Sequence, residues 1–157
     1  AEEFLAAACA SMRWVEAMAG ARPFEGATSV LEAADAAFGH LGPRDWLEAF
    51  AAHPRIGERQ GRQGEAAEAM SRSEQGGVDR ADEALSAELA EVNRRYEDRF
   101  GYTYIVRAAG RSGEEMLEMA RSRLQNSPEE ELEVAAGQQR QITRLRLASM
   151  LCIEEAK

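Results

Sequence analysis

Apolar residues recur every three or four positions along most of this 157-residue chain, the period of helices that each bury one face. Met12, Trp14, Val15 and Met18 follow a cap at Ser11 and stop at Gly20, and Ser29-Val30-Leu31-Glu32 has the form of a capping box opening the next helix. Gly42-Pro43-Arg44-Asp45 begins a third, which must halt at His53 because proline disfavours helical backbone in the residue before it. Leu85, Leu89, Val92 and Tyr96 share one face of a long helix over 79–100, ended by Gly101. Tyr102-Thr103-Tyr104-Ile105-Val106 is strand-like in composition but has no second run to pair with, so it reads as an extended segment buried between helices. Ser112-Gly113-Glu114-Glu115 and Ser127-Pro128-Glu129-Glu130 open two further helices, the last running nearly to the end. The pattern predicts an all-α fold: one domain over residues 1–157, a bundle of about eight helices with one short extended segment.

Composition narrows the class of partner. The 28 acidic and 19 basic residues leave a net charge of −9, which argues against nucleic acid or an anionic membrane surface and favours a small molecule. Cys9 and Cys152 fall in helix-like apolar stretches without metal-type spacing, and they form no disulfide framework, so a reducing, cytoplasmic setting is expected. No run approaches the roughly 20 apolar residues of a membrane span. The first residues lack the basic flank of a signal peptide, and the last lack a Ser-Lys-Leu address.

Three places could carry chemistry. His53, one of only two histidines, has its ring thrown clear at a proline-forced chain break, where the helix macrodipole would favour its cationic form. An isolated histidine in such a place is more often a capping or surface residue, and His40 is read that way. In Ser71-Arg72-Ser73-Glu74-Gln75, helical spacing would put a hydroxyl, a carboxylate and an amide on one face, although a solvated helix end is the simpler reading of that segment alone. On the last helix Arg146 interrupts the apolar line from Ile142 to Met150, while Arg140 and Arg144 belong to another face. A guanidinium drawn inward needs a carboxylate or bound anion; one snorkelling outward at the stripe's edge fits the spacing equally well. No glycine-rich phosphate loop, nucleophile elbow or metal motif appears, so the expected chemistry uses neither cofactor nor metal.

Taken together these segments resemble the 2-oxo-4-hydroxy-4-carboxy-5-ureidoimidazoline (OHCU) decarboxylases. The resemblance rests on Cys9-Ala10-Ser11 with Trp14, Arg22-Pro23-Phe24, Asp45-Trp46-Leu47-Glu48-Ala49-Phe50, His53-Pro54-Arg55-Ile56-Gly57 and Ser71-x-x-Glu74-Gln75. It continues through Leu85 to Asn93, Tyr96, Phe100-Gly101-Tyr102-x-Tyr104 and Ile142-x-x-Leu145-Arg146-Leu147, with Thr103 standing where the family usually has proline. It implies cofactor-free decarboxylation of OHCU to (S)-allantoin in urate breakdown, by a homodimer. In that scheme His53 is the general acid and Glu74 the second catalytic residue. Pro54, Ser71, Arg72, Ser73, Gln75, Tyr104, Ile105, Val106, Arg107 and Ala108 line the substrate pocket, with Arg146 against Glu74 or the substrate carboxylate. Decarboxylation leaves electron density on the ring that needs a stabilising donor and one proton on one face. Backbone N–H groups of Ile105 to Ala108 are expected to add donors.

Two other readings remain at this stage. A helical module that binds a partner enzyme of the same pathway predicts Glu74 and Arg146 exposed and apart. A related lyase or hydrolase acting on another ureido compound would keep the fold and change the chemistry.

Overall fold

A computed structural model describes residues 2–55 and 79–151, with side chains from residue 83 onward in the second stretch. Among the described residues there are seven helices and no strand: α1 (Glu2–Ala8), α2 (Met12–Gly20), α3 (Ala27–Gly39), α4 (Pro43–Ala51), α5 (Asp79–Phe100), α6 (Gly113–Arg123) and α7 (Pro128–Met150). The fold is all-α, as the periodicity predicts.

Most helix ends follow local chemistry. The Ser11 side chain accepts the Trp14 N–H at 3.3 Å, capping α2. Ser112 and Glu115 exchange hydrogen bonds of 3.1 Å in a reciprocal box at α6. At the start of α4 the Asp45 carboxylate accepts the Gly42 N–H at 3.0 Å, with Pro43 at the first helical position. Gly101 ends α5 with φ of 88°, a left-handed conformation that costs glycine nothing. Two expectations need correction. Ser29 is not the cap of α3, which starts two residues earlier behind Gly26, so the Ser-x-x-Glu spacing falls within the helix. Cys9 is not helical but sits in the link between α1 and α2, buried.

The chain divides into two compact units. One comprises Ala1–His53, Ile105–Arg107 and Pro128–Lys157. Within it α7 packs against α1, α3 and α4, around a core that includes Trp14, Met18, Phe38, Phe50 and Leu147. Trp14 is wholly buried and its indole N–H donates to the Ala34 carbonyl at 3.2 Å, tying α2 to α3; truncating so large a core residue costs about 3–5 kcal/mol. On another face of α7, Arg140 and Arg144 grip Asp35 of α3 at 3.2 and 2.8 Å, clear of Arg146 as their spacing predicts.

The other unit comprises Pro54–Tyr104 and Ala108–Ser127. Here α5 and α6 pack so closely that a β-carbon on Gly113 would come within 2.5 Å of Leu85 Cδ2. The Tyr96 ring lies 4.7, 5.7 and 5.3 Å from those of Phe100, Tyr102 and Tyr104, and the Arg123 guanidinium sits 4.8 Å over Tyr104. Asn93 Oδ1 accepts both the Tyr104 N–H at 2.8 Å and the Thr103 hydroxyl at 3.1 Å, so one buried amide seats the start of the extended segment. No proline is needed at 103 for that, because the threonine hydroxyl adds a bond that proline could not make.

Candidate active site around His53

His53 stands two residues beyond α4, its N–H still bonded to the Phe50 carbonyl at 3.1 Å, before Pro54 turns the chain away. The half-buried ring meets α7: Nε2 lies 2.6 Å from Gln139 Oε1. Gln139 is fully buried, and its amide nitrogen donates to Thr143 Oγ1 at 3.0 Å. Thr143 in turn hydrogen-bonds the thiol of Cys9, which also receives the Ser11 N–H. Four polar side chains from three parts of the sequence therefore form one line through the interior.

The electrostatics run opposite to the expectation of a cationic His53. Burial pushes its pKa below the ordinary 6.5, the Gln139 bond raises it in part, and Arg146 lowers it further. Desolvation of a half-buried ring thus outweighs whatever the end of the two-and-a-half-turn helix α4 contributes. The Cys9 thiol is pushed up from 9.0 by burial, so it is uncharged at neutral pH, although Arg146 pulls the other way. Arg146 itself is half-buried and its pKa is lowered by desolvation. Of the partners open to it, a carboxylate, a bound anion or solvent, Glu74 lies outside the described residues; among those described Arg146 donates to the Ala7 carbonyl at 3.4 Å, a long bond that leaves most of the guanidinium's donors for something else.

The segment 104–108 is split between the two units. Tyr104 is buried and its hydroxyl donates to the Met116 carbonyl at 2.9 Å, so that group is committed. Ile105 is buried, Val106 and Arg107 are half-buried, and Ala108 is exposed. The Arg107 backbone N–H, expected to serve as a free donor, is taken by Gln138 Oε1 at 2.8 Å, whereas its side-chain Nε is buried without a partner among the described residues. Pro54 is exposed, and the Arg55 guanidinium after it grips Glu97 at 2.8 and 3.2 Å in a bidentate pair. His40, exposed past α3, has the bland surroundings expected of it. Ser71, Arg72, Ser73, Glu74 and Gln75 lie outside the described residues, as does Cys152. No group of three His, Cys, Asp or Glu side chains suited to a metal occurs among the described residues.

The residues that the sequence reading missed are Gln139 and Thr143. Their signal was available: Gln139, Thr143 and Arg146 are spaced i, i+4 and i+7, a polar line along one helix face.

The sequence model of OHCU decarboxylase matches residues 1–148. The chain belongs to the OHCU decarboxylase family. It is 35% identical over 134 residues to the 2-oxo-4-hydroxy-4-carboxy-5-ureidoimidazoline decarboxylase of Mus musculus, covering 83% of this chain and 74% of that protein. It is also 35% identical over 144 residues to the uric acid degradation bifunctional protein TTL of Arabidopsis thaliana, covering 90% of this chain but only 44% of the longer relative. Among solved structures, a crystal structure of OHCU decarboxylase in the presence of (S)-allantoin superposes with a TM-score of 0.79 at 31% identity, over 97% of this chain and 99% of that one. An (S)-allantoin synthase structure shares the fold, with a TM-score of 0.69 at 21% identity over 96% of this chain and 49% of that one. The all-helical decarboxylase fold thus spans nearly the whole chain. No helix among the described residues is long and apolar enough to cross a membrane.

Proposed function

We propose that this chain, acting as one domain, decarboxylates OHCU to (S)-allantoin without a cofactor. The observation that carries this reading is His53: a half-buried imidazole held by Gln139, in the field of Arg146, in a family member that superposes over almost its full length on a decarboxylase solved with (S)-allantoin.

The chemistry follows from the substrate. In OHCU one ring carbon bears both hydroxyl and carboxylate, and its neighbour carries the ureido group on a carbon–nitrogen double bond. Breaking the bond to the carboxylate releases CO2 and sends its electron pair through the ring to the doubly bonded nitrogen, which takes up one proton. The ureido-bearing carbon then takes one proton, and the hydroxyl-bearing carbon becomes a carbonyl as its hydroxyl proton leaves. Only the protonated carbon is stereogenic in the product, so an acid fixed on one face makes one enantiomer. His53 is that acid. Its depressed pKa makes the imidazolium a stronger donor than an ordinary histidine, while its neutral form can first receive the hydroxyl proton. Arg146, with donors to spare, holds the substrate carboxylate or Glu74, and the buried Nε of Arg107 offers a further donor. Glu74 grips the substrate hydroxyl or ureido N–H groups, while Pro54, Ser71, Arg72, Ser73, Gln75 and the 104–108 backbone orient it. The enzyme works as a cytoplasmic homodimer, which light scattering after size exclusion would check.

The test is optical. Freshly generated urate-oxidase product decays to racemic allantoin on its own, so the protein should produce a circular-dichroism signal that the uncatalysed reaction lacks. Racemic product at the spontaneous rate would overturn the assignment. Turnover of another ureido compound in its place would favour the related lyase or hydrolase.

A further inference from the structure

We propose that Gln139 is a positioning residue that locks His53 with its proton on Nε2, so that Nδ1 is the nitrogen facing the substrate. The inference deepens the reading of His53 as the acid and rests on it for its functional meaning, but its structural content is independent of activity.

The line of hydrogen bonds has a direction. Gln139 sets it: the amide nitrogen of this fully buried side chain donates to Thr143 Oγ1 at 3.0 Å. The amide is thereby turned with Oε1 toward the ring, 2.6 Å from Nε2. A carbonyl oxygen accepts only, so the nitrogen facing it carries the hydrogen. Turning the amide over would set its NH2 group against the ring nitrogen and demand the opposite tautomer, so the orientation of one buried amide fixes where the imidazole proton sits.

The tautomer has a mechanistic consequence. A neutral His53 with Nε2–H bound inward leaves its lone pair on Nδ1, and the proton that enters and leaves during the reaction does so there. Among the described residues Arg146 is the charged group that bears on the ring, and it is on the same helix as Gln139. The ring cannot turn to present Nε2 without breaking the line.

Nitrogen-15 NMR of histidine-labelled protein tests this, with His40→Asn assigning the two rings. Above its titration His53 should show a protonated Nε2 and an unprotonated Nδ1. Gln139→Met should lose that bias and lower kcat by about tenfold to a hundredfold, part of the roughly 10²–10⁴ contributed by a placed acid, with KM little changed. Gln139→Glu should keep the tautomer and move the pH profile upward, because a carboxylate at Nε2 favours the cation. Should the Met variant fail to fold, Thr143→Val loosens the amide's orientation and Thr143→Ser restores it. A neutral ring protonated on Nδ1, or a folded Met variant with unchanged tautomer and kcat, would overturn the proposal. Inactivity of the unaltered chain with the Nε2 proton in place would instead count against the decarboxylase reading.

Discussion

Two successive helices of this chain end beside a histidine, and the two ends could hardly differ more. Beyond α3, His40 is exposed and serves as the last turn's closing residue, its N–H bonded to the Ala37 carbonyl at 3.2 Å. Beyond α4, His53 makes the equivalent backbone bond to Phe50, yet its ring is drawn against Gln139, 86 residues further along. The local motif is the same in kind. What separates the two is a partner from the last helix, together with the burial that comes with it. A helix end sets where an imbidazole starts; packing decides what it can do.

Substitution of the two histidines is the sharpest way to break this contrast. His53→Ala should lose about 10²–10⁴-fold in kcat for chiral allantoin formation, the usual share of a placed acid, whereas His40→Ala should leave the rate as it was. Equal effects in a stopped-flow circular-dichroism assay would erase the distinction. Next in size, Arg146→Gln should weaken substrate binding by about 10- to 100-fold, the loss of one or two charge-assisted hydrogen bonds, and let the His53 pKa rise back toward 6.5. Substrate saturation curves and a pH profile would show both changes, and a variant with neither would mean that Arg146 touches neither substrate nor ring.

The smallest effect is on stability. A folded-state pKa below 6.5 means that the unfolded chain binds the proton more readily, so stability is complete above that value and is lost as pH falls below it toward the folded pKa. Thermal melts across that window should show the loss in the unaltered protein and in His40→Asn, and a flatter profile in His53→Asn. An unchanged slope in His53→Asn would assign the pH dependence to another group.

How much of this could be read from the chain follows the range of the forces involved. Ser112 and Gly101 mark helix ends through bonds within a few residues, and Pro128 through its fixed backbone angle, so their signals survive in the linear order. Ser29 misled because Gly26, with no side chain to announce it, starts α3 first. The cationic expectation for His53 weighed the macrodipole, a local effect, against a desolvation that depends on α7 and cannot be seen in the neighbouring residues. Gln139 was hidden among Gln138, Arg140 and Gln141, which look like a solvated stretch until the fold buries two of the four. The family resemblance singled out His53 and Arg146, but Gln139 as the partner of the imidazole came only from the structure.

Gln138 and Gln139 are neighbours on α7, one clasping the Arg107 backbone and the other the His53 ring. Successive helical residues point about 100° apart, so the helix acts as a gauge block that sets two distant stretches of chain by adjacent marks. Such a gauge tolerates changes of side chain around it far better than changes of length. A single residue inserted or deleted between Pro128 and Gln138 would rotate both marks together and misplace His53 and Arg107 at once. Among relatives of this chain, variation in length should therefore collect outside α7, and the spacing from Gln138 to Arg146 should be the most rigid measure along the chain.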